Sequence, residues 1–319
     1  MVGKVIALNK DEDTASIIDT ETESIDVIET DHNPHEVAVA PDGEKIFISC
    51  SLDNKLNVVD SRSYEILDTI EHPDFEFPHG FAVSQKRNKL YLASTYSDHL
   101  FVINVDSHEI ETILPTHQNK SHMISFTPDE DRAFVANIGS NNITEFDPNK
   151  EEITNHFPVG GGPEGIGVHP NGKHLYVANQ DDNNLHIIDI DTLETVYERE
   201  LGLCPVRMVF SPDGKYALIP NRHAQTISVL DTEQPREVDR DLGVQGTVRI
   251  EQGETRPWEV KRIPVGVWPG GITFNEDGSY AYVANNKTND ISVIDMTTLT
   301  EEKRYDVGTH PDGITFIKE

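Results

Sequence analysis

A motif repeated seven times over 319 residues, short β-rich runs divided by turn residues, and a partnerless strand at the C-terminus together predict an all-β fold. The class that accommodates all three is a seven-bladed β-propeller, a single domain over residues 1–319 with four-stranded antiparallel blades. The ring closes where the C-terminal strand completes the N-terminal blade. Length alone would allow two ordinary domains, and the repeat decides for one.

The unit that opens at Pro163 is the clearest. An alternating segment, Ile166 to His169, meets the turn Pro170-Asn171-Gly172, and Leu175-Tyr176-Val177-Ala178-Asn179 reads as a second strand. Leu185 to Asp189 follows a polar loop, and a last strand lies around Glu194 to Glu200. Opening residues in the same register are Pro34, Pro78, Ser121, Pro163, Pro205, Pro269 and Pro311, spaced 44, 43, 42, 42, 64 and 42 residues apart. Each unit carries a second marker, which is Asn9, Cys50, Ser94, Asn137, Asn179, Asn221 or Asn285. Pro41-Asp42-Gly43, Pro170-Asn171-Gly172, Pro212-Asp213-Gly214 and Glu276-Asp277-Gly278 supply the residues of a tight hairpin between first and second strands.

The two ends complement each other. Residues 1 to 30 hold three strands, and Gly313 to Ile317 supply the missing one, which hides edges otherwise free to pair. Counting from the N-terminal blade, Pro34 opens blade two and Pro205 opens blade six. The long spacing after Pro205 marks an insertion in blade six at about 232–257. Gly246 to Glu251 and Trp258 to Ile263 alternate around Gln252-Gly253-Glu254, which suggests an added hairpin and a last strand beginning near Trp258.

Tyr176-Val177-Ala178-Asn179 and Tyr282-Val283-Ala284-Asn285 carry a resemblance to a known family. The chain resembles, over its full length, the YVTN-type repeat propellers, whose relatives include lactonase-like and streptogramin-lyase-like proteins. The resemblance implies the fold and leaves the chemistry open, since no catalytic motif of the lactonases is matched residue by residue.

Composition narrows the partners. Lys and Arg number 26 against 56 Asp and Glu, a formal charge of -30, so the surface repels phosphate backbones and nucleic acid is excluded as a partner. Such acidity suits solubility at high salt, where screening weakens carboxylate repulsion, and a halophilic source fits it. Met1 to Lys10 lacks the apolar run of a secretory signal and no segment has the length of a membrane span, so the expectation is a cytoplasmic protein with no membrane partner. Cys50 and Cys204 form no disulfide framework and read as structural thiols.

One repeat position carries the candidate chemistry. The first strand of each blade lines the channel of a propeller, and its opening residues face one mouth, so a single position becomes a ring. The residue after each opening position is Asp312, His35, His79, His122, Glu164, Val206 or Gly270, in blade order. Five polar groups form an arc, while Val206 and Gly270 leave a gap for a substrate. His32, His35, His72, His79, His117, His122 and His310 all fall in connections that lead into first strands, so the mouth is enriched in imidazole.

Neutral imidazoles with a carboxylate suit a divalent transition metal such as Zn, Mn, Fe, Ni or Cu. The expected ligands are His35, His79, His122 and Glu164, with Glu164 and Asp312 as the catalytic proton carriers. The other reading of the same arc is a water-filled polar channel. Arg207, Arg222 and His223 are expected to hold an anionic substrate beside the gap, with Tyr96 and Trp268 as rim contacts. No Gly-x-Ser-x-Gly elbow and no phosphate-cradling Gly-rich turn is present. The functional expectation is a metal-dependent enzyme acting on a small-molecule substrate, by lactone hydrolysis or lyase-type elimination. Its alternative is a non-catalytic scaffold that captures a protein partner or glycan, for which the blade-six insertion is the natural surface.

Overall fold

A computed structural model of the chain describes residues 3–233 and 258–318, and the first half and turn of the expected hairpin, with the partner surface expected there, lie outside the described residues. The described residues form 28 strands, β1 to β28 in chain order. No helix among them is long and apolar enough to cross a membrane.

The strands make seven four-stranded antiparallel sheets. Six run in simple chain order, and the seventh closes the ring: β28 (Pro311–Lys318) lies beside β1 (Gly3–Asn9), followed by β2 (Thr14–Asp19) and β3 (Ile25–Glu29). Val5 pairs with Phe316 and Ile6 with Thr315, so the two chain ends share one hydrogen-bonded ladder. In blade six β23 begins at Lys261, three residues after the expected Trp258, and pairs with Thr226–Asp231.

Second strands are continuous apolar runs because each sheet is covered on both faces. Phe47 and Ile48 of blade two are both buried, although they point to opposite sides of their strand. The cover comes from neighbouring blades. Phe47 and Val58 pack with Leu90, Leu92 and Phe101 of blade three. Six similar clusters fill the other interfaces, including the one between Tyr282 and Val293 of blade seven and Val5 and Ala7 of blade one.

Two local distortions aim side chains into the mouth. The residue before each opening position is left-handed in all seven blades: Asn33, Phe77, Lys120, Gly162, Cys204, Trp268 and His310 have φ between 55° and 63°. Immediately afterwards the ladder slips, between Pro34 and Glu36, Pro78 and Phe81, Ser121 and Ile124, Pro163 and Gly165, and Pro269 and Ile272. A bulge there turns the ring residue out of the sheet. Blade six departs furthest, because Pro205 makes only an isolated bridge to Asn221 and regular pairing resumes at Val209.

Candidate active site

The ring position folds as the repeat requires. His35, His79, His122, Glu164 and Asp312 line one cavity of about 270 Å³, joined by Gly270 at the gap. A second ring stands with it, made by the residue after each marker. Lys10, Ile138, Gln180, Arg222 and Asn286, which follow Asn9, Asn137, Asn179, Asn221 and Asn285, all line the same cavity. Sequence reasoning singled out only Arg222 of these; applying the repeat register to the residue after the marker finds the others.

A third position sets the floor. Two places after the opening residue, Gly80, Gly165, Gly271 and Gly313 each face the backbone carbonyl of the next blade, at His122, Arg207, Asp312 and His35. A Cβ on any of them would overlap that carbonyl oxygen, so the inner strands approach more closely than a side chain permits. Blades two, four and six carry Glu36, Met123 and Arg207 at this position, and these three side chains meet inside the channel. Arg207 is also left-handed, with φ 49°, an uncommon conformation for an arginine and the cause of the broken first strand in blade six.

The Arg207 guanidinium is the centre of the site and only 5% exposed. Its Nη2 contacts Glu36 Oε1, and its Nη1 donates to Met123 Sδ at 2.7 Å. Glu164 Oε1 lies 3.7 Å from Nη1 and Asp312 Oδ1 lies 3.7 Å from Nη2. The backbone N–H of Arg207 donates to Glu164 Oε2 at 2.6 Å. Arg207 Nε, Asp312 Oδ1 and His79 Nδ1 are buried without hydrogen-bond partners. Around this core, Lys10 Nζ donates to Asp312 Oδ2 at 2.9 Å, His35 Nε2 sits 3.5 Å from the same oxygen, and Arg222 Nη2 is 4.0 Å from Glu164 Oε1.

These contacts divide the carboxylates. Burial opposes the charge of Glu164, yet Arg207, His122 and Arg222 outweigh it and hold its pKa at about 2. Asp312 is likewise desolvated, but Lys10, His35 and Arg207 pull it below the ordinary carboxylate range. Burial wins at Glu36, where the nearby Asp312 and Glu164 charges add to it and Arg207 only partly offsets them, so its pKa rises to about 7. Glu36 is the functional candidate that sequence reading missed. Its signal is a non-glycine at a position held by glycine in four blades.

The three imidazoles are neutral. Desolvation lowers His35 to about 3 and drives His79 and His122 below their ordinary value. His79 stacks on His122 with ring centroids 3.7 Å apart, and His35 lies tilted against His79 with its centroid 4.5 Å away. Phe77 meets His35 edge to face with centroids 5.3 Å apart and lies nearly parallel to His79 at 6.1 Å. His122 Nδ1 lies 3.3 Å from Thr95 Oγ1, and its Nε2 lies 3.8 Å from Glu164 Oε1.

As placed, this arrangement does not fit the expected metal. Among the described residues no three His, Cys, Asp or Glu side chains are disposed to hold an ion. His35, His79, His122 and Glu164 share the cavity, but His79 and His122 stack face to face and the central cation is Arg207. Of the expected anion-holding residues, Arg207 and Arg222 line the cavity, whereas His223 stands behind Trp268 with ring centroids 5.8 Å apart. Trp268 itself lines the cavity, and Tyr96 packs on Phe77 at 5.2 Å. Cys50 is buried and its Sγ donates to Asn57 Oδ1 at 3.2 Å, as a structural thiol should.

Known proteins share this architecture. A hydrazine synthase from Kuenenia stuttgartiensis superposes with a TM-score of 0.75 at 20% identity over 90% of each chain. A functionally unknown protein from Desulfotomaculum acetoxidans DSM 771 gives 0.80 at 13% identity over 99% of each chain. A protein described as a "putative 6-phosphogluconolactonase" from Bacteroides uniformis ATCC 8492 gives 0.77 at 17% identity over 99% of this chain and 100% of that one. At these identities the likeness is one of fold. No curated protein matches the chain. Residues 107–311, well over half of the sequence, match the family described as "Lactonase, 7-bladed beta-propeller". The chain therefore belongs to the lactonase family of seven-bladed β-propellers.

Proposed function

We propose that this chain hydrolyses a small lactone bearing an anionic group, at the mouth of its central channel. The observation that carries the reading is Arg207, a buried guanidinium with an unpartnered Nε beneath an open cavity, flanked by neutral imidazoles and ionised carboxylates. Family membership supports lactone chemistry, and one fold neighbour is described by an activity on 6-phosphogluconolactone, an anionic lactone.

In this reading His122 is the general base. Burial keeps it neutral, so Nε2 can take a proton from a water molecule as the water oxygen bonds to the lactone carbonyl carbon. Glu164, ionised and 3.8 Å from Nε2, stabilises the imidazolium that forms. Arg207 faces the charge that develops on the carbonyl oxygen, in a site sheltered from water where such a donor is most effective. The ring C–O bond then breaks, and the departing alkoxide recovers the proton from His122. Asp312, held by Lys10 and His35, is a fixed anion that orients Arg207, while Lys10 and Arg222 receive the anionic group of the substrate.

The experiment is base consumption at constant pH with three substrates: an uncharged lactone, a carboxylated lactone and 6-phosphogluconolactone. Anionic lactones should open faster than in buffer alone, and His122→Asn should lower kcat by about 10²- to 10⁴-fold. Equal rates with and without protein for all three, or an unchanged kcat in His122→Asn, would reject the proposal.

A further inference from the structure

The cavity has two unlike ends. Over blades five to seven and one, its walls are Gln180, Arg222, Asn286 and Lys10, two of them cationic, with Trp268 the one large apolar side chain among them. Over blades two to four, the walls are Phe77, Ile138 and the neutral imidazoles of His35, His79 and His122. Ring nitrogens there are partly engaged, His35 Nδ1 with Asn33 at 3.3 Å and His122 Nδ1 with Thr95 at 3.3 Å. A polyol would need hydrogen-bond partners on every side. A flat apolar group would not, and it would bury against the Phe77 ring and the Ile138 side chain.

A second observation points the same way. Phe77 and Trp268 occupy the left-handed position that precedes the opening residue of every blade, and in these two blades that position carries a large aromatic ring. Both line the cavity, and Trp268 remains 40% exposed, so packing alone does not account for its ring. Tyr96, 55% exposed, extends the Phe77 wall outward. The volume of about 270 Å³ lies just below the range usual for small-molecule pockets, which limits the ligand to little more than one ring and its anionic group.

We infer that the ligand of this site is a small amphipathic anion, with its carboxylate or phosphate over Arg222 and Lys10 and a flat aromatic or other apolar ring over the Phe77 and imidazole wall. The inference rests on the reading of the channel mouth as the substrate site and specifies the substrate class as aryl or alkyl lactone acids rather than sugar lactones.

Calorimetric titration of the intact protein with acetate, phenylacetate and 6-phosphogluconate tests it without turnover. Phenylacetate should bind about tenfold tighter than acetate, the increment expected from burying one ring face. Phe77→Asn, which suits left-handed backbone, and Ile138→Thr should each reduce that ratio and leave acetate binding within about twofold, with thermal melts confirming the fold. Tighter binding of 6-phosphogluconate than of phenylacetate, no difference between acetate and phenylacetate, or an equal loss for both anions in Phe77→Asn would overturn the inference. Hydrolysis of sugar lactones with no preference for aryl anions would leave the proposed activity standing and remove this assignment. The preference without any lactone turnover would do the reverse.

Discussion

Arg207→Met removes the cation that contacts Glu36, Glu164 and Asp312 together and leaves a shorter, uncharged side chain in its place. Deleting one partner of a buried ion pair costs about 3–5 kcal/mol, because the remaining charge is left without compensation. Lys10 and Arg222 still reach Asp312 and Glu164 from the cavity wall, which places the expected loss toward the lower end of that range. The sign with pH is specific. In the native chain Glu164 and Asp312 are held below their unfolded pKa values, so their contribution is full at neutral pH and fades as pH falls through the folded values. Without Arg207, burial dominates and the carboxyls titrate above their unfolded values. The variant then binds more protons folded than unfolded, and it recovers stability as pH falls. Urea unfolding at pH 8, 6 and 5 should therefore give a stability difference that shrinks on acidification. His35 contributes nearly equally to both proteins and cancels. A difference below about 1 kcal/mol at pH 8, the size expected for an exposed pair such as Lys318 with Glu276, would refute the reasoning, as would a difference that grows toward pH 5.

Gly80→Ala should destabilise the ring by about 1–3 kcal/mol in thermal or urea melts, because its Cβ meets the backbone carbonyl of His122, which cannot move without shifting the strand Ser121–Phe126. The unfolded His35 imidazole takes up a proton below about pH 6.5, whereas the folded one resists until about 3, so this group withdraws about 1.4 kcal/mol of stability per unit as pH falls through that window, against the opposite contribution of Glu36; the stability difference between the native chain and His35→Gln should therefore shift by about that slope between pH 6 and 4 in urea melts. Dialysis against a chelator should leave lactone turnover and melting temperature unchanged; a near-stoichiometric divalent metal that disappears in His79→Ala would reinstate the three imidazoles as ligands.

The fold was legible because a propeller writes its architecture once per blade. A single slip in spacing, 64 residues where the others are 42 to 44, located the blade-six insertion. Complementary strand counts at the two ends located the β28–β1 closure. The left-handed residue before each opening position was not legible. Glycine and asparagine accept that conformation readily, but Phe77, Lys120, Cys204, Trp268 and His310 do not advertise it. Their backbone is set by the turn that the neighbouring strands impose, which is tertiary rather than local information.

At the mouth the ring of His35, His79, His122, Glu164 and Asp312 was legible for the same reason as the fold, and its chemistry was not. Imidazoles counted along a sequence suggest ligands, since nothing in the count says how the rings face. Stacking at 3.7 Å turns His79 and His122 toward one another, His35 leans on His79 at 4.5 Å, and burial keeps all three neutral. The charge that a metal would bring is already present. Arg207 sits among the carboxylates, placed there by a backbone conformation that breaks its own strand. Three cations, Lys10, Arg207 and Arg222, face three carboxyl groups, Glu36, Glu164 and Asp312, and Glu36 alone has a pKa near neutrality. When Glu36 is protonated the group carries one uncompensated positive charge. That is the balance an anionic substrate completes, and it follows from a glutamate one residue beyond the ring that the repeat first singles out.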